Sequence, residues 1–191
     1  VVKSEGKAKY ALGSVLGHVL MHQTINGNEA ILQMEQAGDY PDIIVGCTGG
    51  GSNLAGLMFP FLGQQLRGGQ KIDIIGCEPL SCPSFTKGKY AYDHGDMARM
   101  TPLIKMHTLG SDFLPPANHS GGLRYHGMSY HLSHLYDLGL MRAKAYGQKD
   151  CFEAGVIFGK QEGIIPAPEG NHAVKGAIDA ALECKEKGES K

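Results

Sequence analysis

The stretch PDIIVGCTGGGSNLAGLMFPF, residues 41–61, constrains the fold more than any other part of the sequence. The apolar run after Pro41 is typical of a buried strand. Three glycines follow, and the next apolar residues recur at helical spacing, with Ser52 or Asn53 as the expected helix cap. A second apolar run, Ile72 to Cys77, predicts another buried strand. This order predicts a parallel βαβ unit with a right-handed crossover and both sheet faces covered.

The glycine corner lies where ligands bind in parallel sheets, beyond the carboxyl end of a strand. Glycines let the backbone approach a ligand closely, and the first amides of the following helix are free to bind an anion. The corner lacks the Lys-Ser/Thr pair of a nucleoside-triphosphate loop and does not match G-x-G-x-x-G. A single phosphate monoester is therefore the predicted guest. The alternative is a turn that serves only close packing of strand and helix.

Apolar spacing also predicts helices elsewhere in the chain. One helix is expected over residues 14–23, and a second around Glu29 to Gln36, closed by Gly38. Asp150 is expected to begin a later helix. The clearest amphipathic pattern runs from Ala173 to Leu182, so we expect a further helix there.

Two stretches have weaker patterns. Residues 79–134 show no clear periodicity, and an irregular stretch of this length is typical of functional segments. The segment EGIIPAPEGNHA, residues 162–173, is interpreted as a strand followed by a turn.

Composition argues against several classes of protein. The formal net charge is −1, which gives no sign of a nucleic-acid or acidic-membrane partner. No apolar run reaches the ~18 residues of a membrane span. The five cysteines are scattered without C-x-x-C spacing, so neither a metal site nor a disulfide framework is expected, and a cytoplasmic setting fits. His131 and His134 lack a third ligand at a helpful spacing, so no metal is predicted.

Several motifs occur together in an order typical of one family: KYALGSVLGHVLMHQT, GCTGGGSN, GCEP, SGGLRYHG and EGIIPAPEGNHA. On these motifs the chain resembles the tryptophan synthase β family over nearly its whole length, and most closely the stand-alone branch. The resemblance implies an α/β fold, the three-layer parallel-sheet architecture of fold type II enzymes that use pyridoxal 5′-phosphate (PLP).

The same resemblance implies an activity and partners. It implies a PLP-dependent carbon–oxygen lyase that condenses L-serine with indole to give L-tryptophan and water. A homodimer is expected. The choice between serine and phosphoserine, the identity of the physiological acceptor and the association with an α subunit stay open.

The resemblance assigns cofactor roles to individual residues. The segment GGGSN would bind the PLP phosphate through Gly49, Gly50, Gly51, Ser52 and Asn53. Glu169 would lie beside the cofactor ring and tune how far the ring withdraws electrons. On the residues alone, a solvated turn or helix-capping glutamate is the alternative for Glu169.

Two further segments would complete the site. Gly121 and Gly122 of SGGLRYHG would face the cofactor and the indole site. Ser14 would lie near the cofactor, and Leu12 and Gly13 would line the substrate site, whose wall is apolar.

The chain departs from the better-known branch of the family at two places. Arg124 stands where that branch has an aspartate, and its guanidinium would bind a substrate carboxylate or phosphate; an ordinary surface arginine is the alternative. Gly170 and Asn171 follow Glu169, where the family pattern has two small hydroxyl residues.

The family's Schiff-base lysine lies in a His-Lys motif, and this sequence contains none. We therefore expect a fragment that lacks the N-terminal half and the extreme C-terminus and is inactive alone. Residues 1–28 would end the N-terminal domain or form a crossover, and residues 29–191 would form an incomplete PLP-phosphate-binding domain. The alternatives are a non-catalytic phosphate- or PLP-binding relative, another fold type II enzyme acting on serine or threonine derivatives, and a nucleotide-binding Rossmann domain.

Overall fold

A parallel three-stranded sheet lies between two layers of helices in the computed structural model, which describes residues 2–191. The helices are α1 (Gly17–Ala37), α2 (Ser52–Leu66), α3 (Tyr130–Asp137), α4 (Gln148–Glu162) and α5 (Gly170–Lys187). The strands are β1 (Ile43–Cys47), β2 (Asp73–Pro79), β3 (Lys89–His94), β4 (Leu103–Thr108) and β5 (Arg142–Tyr146). Short 3-10 turns cover Val2–Ser4 and Gly121–Leu123.

The main sheet has the order β1-β2-β5, with all neighbours parallel. Ile44 pairs with Ile74 across β1 and β2, and Gly76 pairs with Ala143 across β2 and β5. The predicted βαβ unit is confirmed, because α2 connects the parallel strands β1 and β2. The carboxyl ends of these strands lie at one edge of the sheet, where parallel sheets bind their ligands.

The two faces of the sheet pack on different helices. Ile44 and Ile74 belong to the core shared with α2, whereas Ile75 and Cys77 belong to the core shared with α5 and α4. Alternate residues of a strand point to opposite faces, so apolar residues are needed at successive positions of β2. This explains why the strands appear in the sequence as continuous apolar runs.

Helices α1 and α2 cross with their backbones almost in contact. A methyl group on Gly56 would lie 2.5 Å from the carbonyl oxygen of Gln23, and one on Gly27 would lie 2.7 Å from the carbonyl oxygen of Gly56. Pro60 lies inside α2 and has no N–H, so it leaves the carbonyl of Gly56 without its helical hydrogen bond. The crossing therefore depends on two glycines at the point where the hydrogen-bond ladder of α2 is interrupted.

The two helices predicted over residues 14–23 and 29–36 form one continuous helix, α1, so that prediction was wrong. Gly27 weakens a helix in isolation, but here the crossing with α2 requires a residue without a side chain. Gly38 ends α1 with φ 68°, as expected for a left-handed cap. The domain boundary predicted after residue 28 falls inside α1. Val1, the first residue of the predicted N-terminal segment, lies outside the described residues. The division into domains stays a prediction.

Two further predictions were wrong. Residues 79–134 contain the antiparallel hairpin β3–β4 and the helix α3 rather than an irregular stretch. The residues of β3 do not alternate between buried and exposed, which hid the strand. Residues 162–173 form no strand: Ile164 and Ile165 are exposed in an irregular segment that leads into α5. Prolines in this segment remove the amide donors that a strand needs.

The five cysteines are free thiols, and all are buried. Burial raises the pKa of Cys47, Cys82 and Cys151 to about 11 and that of Cys77 to about 12. Because the thiolate is the reactive form, we expect the folded chain to react with a disulfide reagent far more slowly than the urea-unfolded chain near pH ~8. Equal rates in the two states would contradict this burial.

The same thiols make stability depend on alkaline pH. Unfolded thiols ionise near the ordinary value of 9.0, whereas folded ones hold their protons to about 11. Between these values the unfolded state releases protons that the folded state keeps, so the free energy of unfolding falls as pH rises. Urea titrations across this window check the slope. A flat profile would show that the thiols are not buried in solution.

Among residues 2–191, none of the helices combines the length and the apolar character needed to cross a bilayer.

Candidate functional site

The glycine corner joins the end of β1 to the start of α2. Gly51 has φ 98°, a left-handed conformation that favours glycine, and it precedes the first helical residue, Ser52. Neither Ser52 nor Asn53 caps α2 through its side chain, so the predicted cap was wrong. The Asn53 side chain instead accepts a long hydrogen bond of 3.8 Å from the Cys47 thiol.

Successive backbone amides at this corner have no acceptor within residues 2–191. They belong to Gly49, Gly50, Gly51, Ser52, Asn53 and Leu54. The first helical hydrogen bond that returns to the corner is from Ala55 to Gly51, at 3.0 Å. Unpaired amides are costly when buried, and Gly49 to Ser52 are all buried. A run of free N–H groups at a helix N-terminus is a site for an anion, and the helix dipole adds to its positive potential.

Three distant segments of the chain are linked to this corner. A methyl group on Gly50 would lie 2.5 Å from the Ser14 hydroxyl, so Ser14 rests against the glycine run. A methyl group on Gly49 would lie 2.6 Å from the carbonyl oxygen of Gly122. Gly122 in turn donates its amide to Glu169. The predicted cofactor residues Ser14, Gly49, Gly50, Gly122 and Glu169 are thus linked by a continuous series of contacts.

Glu169 directs its carboxylate towards the glycine pair. Its Oε1 accepts a hydrogen bond of 3.0 Å from the Gly122 amide. Glu169 immediately precedes α5, but its side chain makes no capping hydrogen bond to that helix. The Glu169 side chain therefore contacts the glycine pair and does not cap α5. Gly121 begins the 3-10 turn beside it and is exposed.

Arg124 lies just after the glycine pair, but its guanidinium bonds to the chain itself. Its Nε donates to the carbonyl of Pro116 at 2.9 Å, and one Nη donates to the carbonyl of Pro115 at 2.6 Å. The side chain is exposed. These contacts tie it to the loop before the glycine pair.

Leu12 and Gly13 precede α1 on the segment that leads to Ser14. Leu12 is half-buried, and Gly13 is exposed. Val15, the next residue after Ser14, has φ 70°, which is a strained conformation for a β-branched side chain. The Val15 side chain contacts Gly50, and packing of this kind is what maintains a strained backbone conformation.

The sequence did not single out two residues that shape the corner. Thr48 is 1% exposed, and its hydroxyl has no hydrogen-bond partner among the described residues. Ser129 donates its amide to the Gly50 carbonyl at 3.0 Å and caps α3 by accepting from Leu132. A serine before a helix is a recognisable cap signal, but its contact with Gly50 is tertiary.

No group of three or more His, Cys, Asp or Glu side chains that could hold a metal ion occurs in the described part of the chain.

Comparisons with curated proteins show close relatives. The chain is 56% identical over 191 residues to tryptophan synthase beta chain 2 of Aquifex aeolicus, which covers 98% of this chain and 44% of that protein. It is 55% identical over 183 residues to tryptophan synthase beta chain 2 of Methanosarcina mazei, covering 96% of this chain and 41% of the relative. The chain therefore spans less than half the length of these relatives.

A solved structure and a family model agree with this placement. The crystal structure of a threonine deaminase from T.th. matches with a TM-score of 0.63 at 15% identity, over 86% of this chain and 52% of that one. At this identity the match shows the fold alone, and it is the predicted α/β fold type II architecture. The model of the family described as "Pyridoxal-phosphate dependent enzyme" matches residues 18–190. The chain belongs to the family of pyridoxal-phosphate dependent enzymes.

Proposed function

We propose that this chain supplies the cofactor-phosphate site of an enzyme that condenses L-serine with indole to give L-tryptophan and water. The observation that carries the proposal is the run of free amides from Gly49 to Leu54, connected through Gly122 to the carboxylate of Glu169. The identity of more than half the aligned residues with tryptophan synthase beta chain 2 proteins supports the substrates. The enzyme is proposed to act as a homodimer, and the buried free thiols fit a cytoplasmic setting.

The residues at the corner fit a phosphate monoester. Free amides and the hydroxyls of Ser14 and Ser52 would hold its oxygens, and no charged side chain is needed because the helix dipole supplies positive potential. Asn53 would add an amide donor at the exposed side. PLP supplies an electron sink that stabilises negative charge on a bound amino acid.

The remaining proposed residues act around the cofactor ring. Glu169 would set the electrostatic environment of the ring, and its bond to the Gly122 amide would keep the carboxylate in place. Gly121 would leave room beside the ring, because a methyl group there would meet no atom within 4 Å. These roles are supported by the contacts at the corner.

The substrate side of the proposal rests on Leu12, Gly13 and Arg124. Leu12 would present apolar surface to indole. The Arg124 guanidinium would exchange its bonds to Pro115 and Pro116 for a substrate carboxylate, or for the phosphate of phosphoserine. Serine would present one anionic group, its carboxylate, whereas phosphoserine would present a carboxylate and a phosphate. The number of anionic groups that the site must bind would then distinguish the two substrates.

Catalysis would also require a lysine that binds the cofactor covalently. No His-Lys pair occurs in this sequence. We propose that the lysine is supplied by a polypeptide of the relatives' length that contains this chain, and that the 191-residue chain by itself does not turn over. An α-subunit partner would contact that longer polypeptide.

The first test is an absorbance spectrum of the full-length polypeptide with PLP. A band near ~410 nm that borohydride fixes onto a lysine is expected. A further shift on adding L-serine would support the substrate, and tryptophan formation on adding indole would support the reaction. Absence of the band, of its fixation and of the shift would refute the enzyme. The corner would then be the phosphate site of a non-catalytic relative.

A further inference from the structure

The turn that carries Glu169 is held by two side chains outside it. Ser120 Oγ donates to the carbonyl of Pro168 at 3.3 Å. His172 Nδ1 lies 3.3 Å from the same carbonyl and 3.2 Å from the carbonyl of Glu169. Ser120 directly precedes the glycine pair that Glu169 contacts. The two ends of the Glu169–Gly122 hydrogen bond are thus connected through the Pro168 carbonyl.

The protonation state of His172 follows from its partners. Carbonyl oxygens only accept hydrogen bonds, so Nδ1 must carry the proton and Nε2 must present a lone pair when the ring is neutral. Burial lowers the pKa of His172, and this favours the neutral ring. The side chain is 1% exposed.

His172 also lines a small cavity. The cavity has a volume of about 120 Å³ and lies beyond the ends of β2 and β5, with Tyr146, His119 and His172 in its lining. Nε2 of His172, Oη of Tyr146 and both ring nitrogens of His119 are buried and without partners among residues 2–191. The His119 and His172 rings are stacked, with centroids 5.7 Å apart and planes at 9°.

We propose that His172 is a positioning residue whose Nδ1–H fixes the Pro168–Glu169 turn and so aims the Glu169 carboxylate at the Gly122 amide. The role of Glu169 at the cofactor rests on the proposed function, but the positioning itself concerns this chain alone. Stacking on His119 fixes the plane of the ring. His172 does not contact the corner directly and acts only through Glu169.

Two amide variants separate the ring nitrogens. In His172→Asn the side-chain amide can donate from near the place of Nδ1. In His172→Gln the longer side chain reaches towards the place of Nε2, so the carbonyls of Pro168 and Glu169 lose their side-chain donor at position 172. Both variants keep a buried polar group. A merely space-filling role for the ring would predict similar effects of the two substitutions.

The test reads the Glu169–Gly122 hydrogen bond without any cofactor. In two-dimensional NMR spectra the amide proton of Gly122 should be shifted downfield by its hydrogen bond to the Glu169 carboxylate, and Glu169→Gln should abolish most of that shift. His172→Asn should keep most of the shift. His172→Gln should lose about half of it or more, because the Glu169 carboxylate would no longer be aligned with the Gly122 amide and a hydrogen bond weakens steeply with misalignment. Ser120→Ala should reduce it in the same direction. A full shift in His172→Gln, or equal losses in both His172 variants, would overturn the proposal.

A second measurement distinguishes this inference from the proposed function. In the full-length polypeptide with PLP, Glu169→Gln and His172→Gln should move the cofactor absorbance in the same direction, and His172→Asn should resemble the wild type. If no PLP binds to the wild type, the proposed function fails while the NMR result still stands. If PLP binds and only Glu169→Gln moves the band, the positioning role fails.

Discussion

A Gly49→Ala variant is expected to bind PLP at least tenfold more weakly than the wild type, with the secondary structure retained. The added methyl group would lie 2.6 Å from the Gly122 carbonyl oxygen and 2.8 Å from the Leu123 Cα. Both are backbone atoms, so the two segments must move apart and the amide cradle must open. Losing one charge-assisted hydrogen bond costs ~1.5–3 kcal/mol, which is roughly tenfold to a hundredfold in affinity.

The measurement is a PLP titration of the full-length polypeptide, with far-UV circular dichroism as a check on the fold. Gly63→Ala is a matched control, because it lies in the helix that begins at the same corner. A methyl group on Gly63 would meet only the flexible end of Arg67, at 3.4 Å. Unchanged affinity in Gly49→Ala would show that the phosphate is bound elsewhere.

A Gly56→Ala variant is expected to destabilise the chain by about 3 kcal/mol, near the upper end for an overpacked core. The methyl group would lie 2.5 Å from the Cβ and carbonyl oxygen of Gln23 on α1. Because the obstruction includes backbone, α1 must move away from α2 as a whole, and apolar contacts along the crossing are lost with it. Urea titration gives the free energy of unfolding.

Gly63→Ala again provides the comparison. This substitution replaces a glycine of the same helix at a position where the new methyl group meets no backbone atom. Glycine in a helix interior lowers stability by ~0.5–1 kcal/mol relative to alanine. We therefore expect Gly63→Ala to be neutral or stabilising. If the two variants shift the unfolding midpoint equally, the crossing is looser than the structure shows.

The elements that could be predicted from sequence are those with a local cause. The apolar runs before Thr48 and Glu78 mark buried parallel strands, since both faces of the sheet are covered. The three glycines mark the corner because only glycine adopts φ 98° readily at Gly51. Gly38 marks the end of α1 for the same reason.

The elements that could not be predicted depend on contacts between distant residues. The sequence predicted two helices on either side of Gly27, whereas Gly27 lies inside α1 and is glycine because the backbone of α2 approaches it closely. The β3–β4 hairpin belongs to neither edge of the main sheet, and its residues do not alternate between buried and exposed. The Glu169–Gly122 hydrogen bond joins residues 47 positions apart. The resemblance placed both residues beside the cofactor, but the sequence did not predict the bond between them.

The order of the main sheet has a consequence for handling the protein. Strands β1 and β5 are the two outermost strands of the main sheet within residues 2–191. On its outer side, each has a row of main-chain donors and acceptors that is not paired with another strand of these residues. Such rows are templates for a strand from another molecule. Copies at high concentration would add to one another at the strand separation of ~4.8 Å. We therefore expect the 191-residue chain to associate through these two rows of main-chain amides, and an added capping strand to reduce that association.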